Sequence, residues 1–239
     1  MPHPNDVVVV IPCLNEAGTI AKLVADVQRH IPSVLVVDDG STDATAARAA
    51  EAGAEIISHP TPLGKGAALA SGFKCARERG LAWALAMDGD GQHAPDDIPK
   101  FLEARVDVPL VIGNRMGSAG EMPWVRRGVN RWMSRRISKL MQRDLPDTQC
   151  GFRLVQLAAW SALLIEAAHF EIESEMLVAF LAAGSEVAFV PIRVIYRNER
   201  SKIHPLRDTV RWFRWWRGVR RRISASNRGS RAALYRAAD

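Results

Sequence analysis

Four short apolar runs, each ending in polar or acidic residues and each followed by a new pattern, restrict this chain more than any other feature. Residues 6–11 read as a buried strand, after which Ile20, Leu23, Val24 and Val27 recur at helical spacing. Residues 33–37 form a second run and 44–52 a second helix, ended by Gly53. The pattern repeats at 55–58 and 67–79, with Gly80 as the stop. The fourth run, 82–87, leads straight into Asp88-Gly89-Asp90-Gly91. This alternation predicts right-handed crossovers and an α/β fold: a mostly parallel sheet with helices on both faces. In such sheets ligands bind beyond the carboxyl ends of the strands. Asn15, Glu16, the stretch 38–43 and the stretch 88–93 all fall there.

The second half is less regular. A basic helix is expected over 125–142, a polar loop over 144–152, helices over 157–167 and 173–183, and strands over 186–190 and 192–197. At 239 residues the chain suits one sizeable domain with a short appendage. The division expected is a domain over 1–204 and a basic Arg/Trp tail over 205–239. No apolar stretch is long enough to span a bilayer: the longest, 154–168, is broken by Gln156 and Glu166 and reads as an amphipathic helix. The start has no basic segment before its apolar run, so no signal peptide is expected. Cys13, Cys75 and Cys150 are widely spaced and read as reduced thiols of a cytoplasmic protein.

Charge is unevenly divided. Residues 1–122 carry 10 Lys/Arg against 16 Asp/Glu, whereas residues 123–239 carry 22 against 10. A strongly basic second half suits an anionic partner: nucleic acid, a phosphorylated substrate or an anionic membrane surface. The chain shows no nucleic-acid-binding motif and its first half is acidic, so no nucleic-acid partner is expected.

Two carboxylates one residue apart at the end of a buried strand, Asp88 and Asp90, can both reach one hard cation, and Gly89 between them lets a ligand approach closely. An isolated Asp-Gly-Asp is more often a solvated turn. What changes the reading is its company: Val10-Ile11-Pro12-Cys13-Leu14-Asn15-Glu16, Val36-Val37-Asp38-Asp39-Gly40-Ser41-Thr42-Asp43 and Gly64-Lys65-Gly66 stand before it in order. Gly64-Lys65-Gly66 lacks the full Walker spacing, so a P-loop is not expected. Glu16 and Asp43 read equally well as site residues or as acids complementing a helix start.

This ordered set resembles the inverting family-two glycosyltransferases of the GT-A fold, and among them the polyprenyl-phosphate sugar transferases such as dolichyl-phosphate mannose and glucose synthases. Gly113-Asn114-Arg115, the segment Asp147-Thr148-Gln149-Cys150-Gly151-Phe152-Arg153, and Arg197 followed by Ser201-Lys202 extend the likeness over nearly the whole chain. The resemblance implies a nucleotide-sugar donor and a polyprenyl-phosphate acceptor. Pro12, Leu14 and Glu16 would line the nucleotide pocket, and Val37 and Asp39 would meet base and ribose. Asp88, Asp90 and Gln92 would hold Mg²⁺ or Mn²⁺, with Gly89 beside the donor. Lys65 would add charge near the donor, while Arg115, Arg197 and Lys202 would meet the phosphates. Besides Asp90, the resemblance makes Asp147 and Arg153 catalytic candidates that order the loop around the acceptor phosphate. Glu173 or Glu175 would contact sugar hydroxyls or form a solvated helix face. A soluble acceptor is the alternative, and it would need a general base that the sequence does not single out.

The tail over 206–223 places Trp212, Trp215, Trp216, Val219 and Ile223 on one helical face and Arg207, Arg211, Arg214 and Arg221 on the other. That pattern suits a helix lying in a membrane interface, or a helix packing its apolar stripe on the core. The residues from Trp124 to Arg143 are a second basic candidate. The expectation is a peripheral enzyme at the inner face of the membrane, with the tail as its anchor.

Overall fold

The computed structural model describes residues 3–104, 108–118, 122–195, 205–225 and 231–235. Its frame is a seven-stranded sheet of β1 (Val7–Cys13), β2 (Val34–Asp38), β3 (Glu55–Ser58), β4 (Trp83–Ala86), β5 (Leu110–Asn114), β6 (Arg153–Gln156) and β7 (Val187–Pro191). The strand order is β3-β2-β1-β4-β6-β5-β7. All pairings are parallel except those of β6, which runs antiparallel to both β4 and β5. β1, at the centre of the parallel half, is almost wholly buried, which is why it reads as an unbroken apolar run.

Helices α1 (Ile20–Gln28) and α2 (Thr45–Glu51) touch each other, while α3 (Lys65–Glu78) packs on β1, β2, β4 and α6 (Leu157–Ser161). Strand order reverses at β1: the chain moves outward to β2 and β3 and then returns to β4 on the other side. With right-handed crossovers this puts α1 and α2 on one face and α3 on the other. The reversal opens a crevice at the carboxyl ends of β1 and β4, where Cys13 and Asp88 lie. Beyond the short α4 (Ile98–Leu102), α5 (Trp124–Met141) packs on α7 (Ile172–Ala182), α7 touches β7, and α8 (Pro205–Ala225) follows.

The first half matches its sequence reading, and the second departs from it in three places. Residues 154–168 are not one amphipathic helix: Arg153–Gln156 is a strand, α6 stops at Ser161, and 162–171 is a loop held from outside. The Glu175 carboxylate accepts the amides of Glu166 and Ala167 at 3.0 and 2.6 Å, the Ala168 carbonyl accepts those of Gly66 and Ala67, and the Tyr235 carbonyl accepts that of Leu164. These distant partners replace the i→i−4 bonds a helix would need. The strand expected over 192–197 is also missing from its described part. Val194 forms only an isolated bridge to His93, because the Arg193 amide turns to the buried Asp97 carboxylate at 2.7 Å.

The third departure is the tail. Trp212, Trp216, Val219 and Ile223 are buried and belong to the same core as β1 and α7. The Trp212 indole donates to the Ser174 hydroxyl at 3.0 Å and stacks on Trp216. α8 therefore packs its apolar stripe on the domain, so a boundary at residue 204 does not separate two units and the Trp face is not available to a bilayer. Among the described residues, no helix is long and apolar enough to cross a membrane.

Candidate active site

β4 delivers Asp88 to the crevice, and three contacts shape the loop behind it. The Thr19 hydroxyl donates to the Gly89 carbonyl at 2.8 Å, tying the loop to the start of α1. A side chain at Gly89 would meet the Cys13 sulfur at 2.6 Å, so only glycine allows the loop to close on the end of β1. The Asp88 amide faces Nδ1 of His93, whose ring stacks on Phe152 at 5.1 Å. Burial pushes His93 down to about 4, which keeps it neutral and lets Nδ1 accept. His93 supports the loop from below, a role its position after Gln92 did not reveal.

Charge in the crevice is concentrated. The Lys65 ammonium, at the start of α3, lies 2.5 Å from both Asp88 Oδ1 and Glu173 Oε1. A side chain at Gly151 would come within 2.7 Å of that ammonium, so the glycine makes room for the pairing. Burial works against the Lys65 charge, but Asp88 and Glu173 outweigh it and hold its pKa above the ordinary value. Burial would likewise raise Asp88, yet Lys65 holds it well below the usual carboxylate range. Asp90 lacks such a partner. Burial, and then the Asp88 charge, push it up to about 6.

This imbalance fits a divalent cation. Two oxygen donors stand together with one carboxylate under-neutralised, and the donor set is hard. Among the described residues no cluster of three His, Cys, Asp or Glu is preformed. The Gln92 side-chain oxygen accepts from Arg126 at 3.3 Å, and the Gln92 amide donates to Asp90 at 3.0 Å. Arg126 belongs to α5 and has no local signal in the sequence that would place it here.

The nucleotide side is stitched from two loops. Asn15, at positive φ, receives the Thr42 amide on its side-chain oxygen and donates its own amide to Ser41. The Glu16 amide donates to Thr45, and the Ala17 amide to Asp43. α1 begins at Ile20, so Glu16 lies in the loop rather than capping a helix, with its side chain 3.4 Å from where a Gly89 side chain would start. Pro12 and Leu14 are half-buried at the same edge. The Val37 side chain lies in the core against α3 at Gly72. The buried Asp39 carboxylate accepts the amides of Leu63 and Gly64 and meets His59, so it braces the 59–64 loop. His59, also bonded to Ser71, was not singled out in the sequence.

On the opposite side, Arg115 and Asp147 form a buried fork, Nε to Oδ2 at 2.8 Å and Nη2 to Oδ1 at 2.9 Å. Arg153 is almost fully buried and donates to the carbonyls of Cys150, Glu173 and Thr148 at 2.7, 2.6 and 3.0 Å. Asp147 and Arg153 are thus positioning residues that order the 147–152 loop. Glu175 is turned to the 162–171 loop, away from Lys65, whereas Glu173 faces it. Arg197 and Lys202 lie outside the described residues.

A doubly wound sheet with paired aspartates at its switch point and basic groups around them is the architecture of a GT-A nucleotide-sugar transferase. The chain belongs to glycosyl transferase family 2, whose model matches residues 8–161. It is 30% identical over 214 residues to the glycosyltransferase AglJ of Haloferax volcanii, covering 87% of this chain and 70% of that protein. It is 29% identical over 240 residues to the undecaprenyl-phosphate mannosyltransferase of Micrococcus luteus, covering 91% and 98%. Among solved structures, glucosyl-3-phosphoglycerate synthase from Mycobacterium tuberculosis with Mn²⁺, UDP and phosphoglyceric acid aligns at a TM-score of 0.64. That alignment covers 87% of this chain and 74% of the other at 22% identity, a likeness of fold. The protein is a nucleotide-sugar-dependent glycosyltransferase.

Proposed function

We propose that the enzyme moves a hexose from a UDP- or GDP-linked donor to a polyprenyl phosphate, with inversion at the anomeric carbon. One observation carries this reading: the acids that the second half of the chain brings to the crevice already face partners. Asp147 is forked to Arg115, Glu173 sets one oxygen on Lys65, and Glu175 holds backbone amides. A hydroxyl acceptor needs a base to take its proton. A lipid phosphate is an anion at neutral pH and attacks without one. The naming of relatives as an undecaprenyl-phosphate mannosyltransferase and a polyprenol monophosphomannose synthase supports the same acceptor class.

Asp88 and Asp90 would hold Mg²⁺ or Mn²⁺, whose chemistry there is neutralisation of the departing diphosphate. The protein's own groups position and exclude. Lys65 adds positive charge beside Asp88, and the Arg115 guanidinium, forked to Asp147, would add to it near the departing phosphates. Arg153 keeps the 147–152 loop closed under it. The phosphate oxygen then displaces the nucleoside diphosphate in line, giving a β-linked sugar phosphate from an α-linked donor.

The test is transfer of labelled sugar from UDP-glucose, GDP-mannose and related donors to a short-chain polyprenyl phosphate in detergent with Mn²⁺. Lipid-linked product of inverted configuration is expected, and Asp90→Ala should abolish it. Retained configuration, or transfer to soluble hydroxylated acceptors alone, would overturn the proposal.

A further inference from the structure

α5 is built inside out over its first three turns. Asn130 and Ser134 point inward and are buried, the Ser134 hydroxyl bonded to Thr148, while Trp124, Val125 and Val129 are 78%, 54% and 43% exposed. A helix that only covers a core places its residues the other way round. Val125 and Val129 follow at i and i+4 on the outward face, and Trp132 at i+7 carries the line to a half-buried position against the core. The Trp132 ring then meets Phe213 of α8 at 5.5 Å, and Phe213 and Val210, one turn earlier, are themselves exposed. The apolar strip thus crosses both helices.

Its rim is basic. Arg131, Arg135 and Arg136 on α5 and Arg214 and Arg217 on α8 are exposed, with the Arg136 guanidinium 5.0 Å over the Trp132 ring. α5 contains no acidic residue, and α8 only Asp208. A two-fold pairing of this face with a second copy would set the arginines against one another. A surface of anionic headgroups over acyl chains complements both features. The same helix places Arg126 on Gln92, so the strip borders the crevice.

We propose that the outer face of α5, continued by Val210 and Phe213 of α8, docks on an anionic lipid bilayer, with Trp124 seated in the interface. Resting on the lipid-phosphate reading, this names the surface that brings the crevice to its acceptor. It replaces the buried Trp face of α8 as the membrane contact.

The experiment is flotation of the full chain with phosphatidylcholine vesicles and with vesicles containing phosphatidylglycerol. Binding to the anionic vesicles only is expected. Trp124→Glu with Val129→Glu, and separately Arg131→Glu with Arg135→Glu, should each weaken it by about tenfold or more. Both pairs should keep the wild-type melting temperature and the transfer to short-chain polyprenyl phosphate in detergent. Undiminished flotation of either pair, or equal flotation with zwitterionic vesicles, would overturn the docking face. So would a wild-type dimer that Trp124→Glu with Val129→Glu splits, since the face would then join two copies. A wild-type chain that binds neither kind of vesicle while its transfer in detergent is intact sinks the docking face alone, whereas absent transfer in detergent sinks the acceptor reading.

Discussion

At the scale of single residues the site turns on an unequal pair. Asp88 has a lysine against it and remains ionised, whereas Asp90 carries a raised pKa of about 6 because burial and the neighbouring charge disfavour its ionised form. A divalent cation binds the ionised carboxylate, so it competes with a proton at Asp90. The sign follows: affinity is flat above about pH 6 and falls as pH drops below it, by about tenfold per unit for one proton displaced. Titrating Mn²⁺ binding between pH 5 and 7.5 by calorimetry should show that break (about one proton released at the acid end). Asp90→Asn should bind more weakly and lose the break. A curve for wild type that stays flat through that range would mean Asp90 does not hold the ion. The two aspartates were legible from sequence because they close an apolar run. The charge that separates their behaviour was not, since Lys65 and Glu173 come from helices 23 residues before and 85 after Asp88.

At the scale of elements, what was legible divides along the sheet. β1 to β4 pair in parallel, with β1, β2 and β4 buried and only the edge strand β3 partly exposed, so each announces itself as an apolar run. β6 is short, antiparallel and starts with a buried arginine, so its residues merged with the helical spacing of α6. Arg153 explains how such a strand survives. Its guanidinium joins the strand to the 147–152 loop and to the carbonyl of Glu173 in the first turn of α7, satisfying three buried acceptors at once. A lysine carries the charge but cannot span all three. Arg153→Lys should therefore cost about 3 kcal/mol, measured by urea unfolding, because acceptors are left bare. Transfer should weaken as well, since the loop it loosens carries Asp147 and hence the orientation of Arg115. Unchanged stability would show that the clamp is not what holds β6 in the sheet.

The whole molecule is tied together by its last described residues. Trp212 reaches Ser174, whose hydroxyl also accepts from the Gln149 amide at 2.9 Å, so one side chain joins α8 to the site loop. The carbonyl of buried Tyr235 holds Leu164, in the loop whose Ala168 carbonyl receives the first amides of α3 beside Lys65. The amphipathic tail was visible in the sequence, but its period is the same whether the stripe faces lipid or core. Only the presence of a surface for the stripe to pack on, here Trp132 and Ser174 of α7 against Trp212, decides between them. Burying Trp212, Trp216, Val219, Ile223 and Tyr235 contributes about 10 kcal/mol at roughly 2 kcal/mol each. That is comparable to the whole stability of a domain this size, about 5–15 kcal/mol. A chain cut after residue 204 should thus fail to melt cooperatively and should expose apolar surface that binds a hydrophobic dye. Trp212→Ala alone should cost about 3–5 kcal/mol by urea unfolding. A truncated chain that unfolds in one sharp transition near the wild-type temperature would show that the tail is an appendage after all. The same reasoning is why the bilayer contact must be tested by point changes on the outer face of α5, since removing α8 would unfold the enzyme and abolish vesicle binding for the wrong reason.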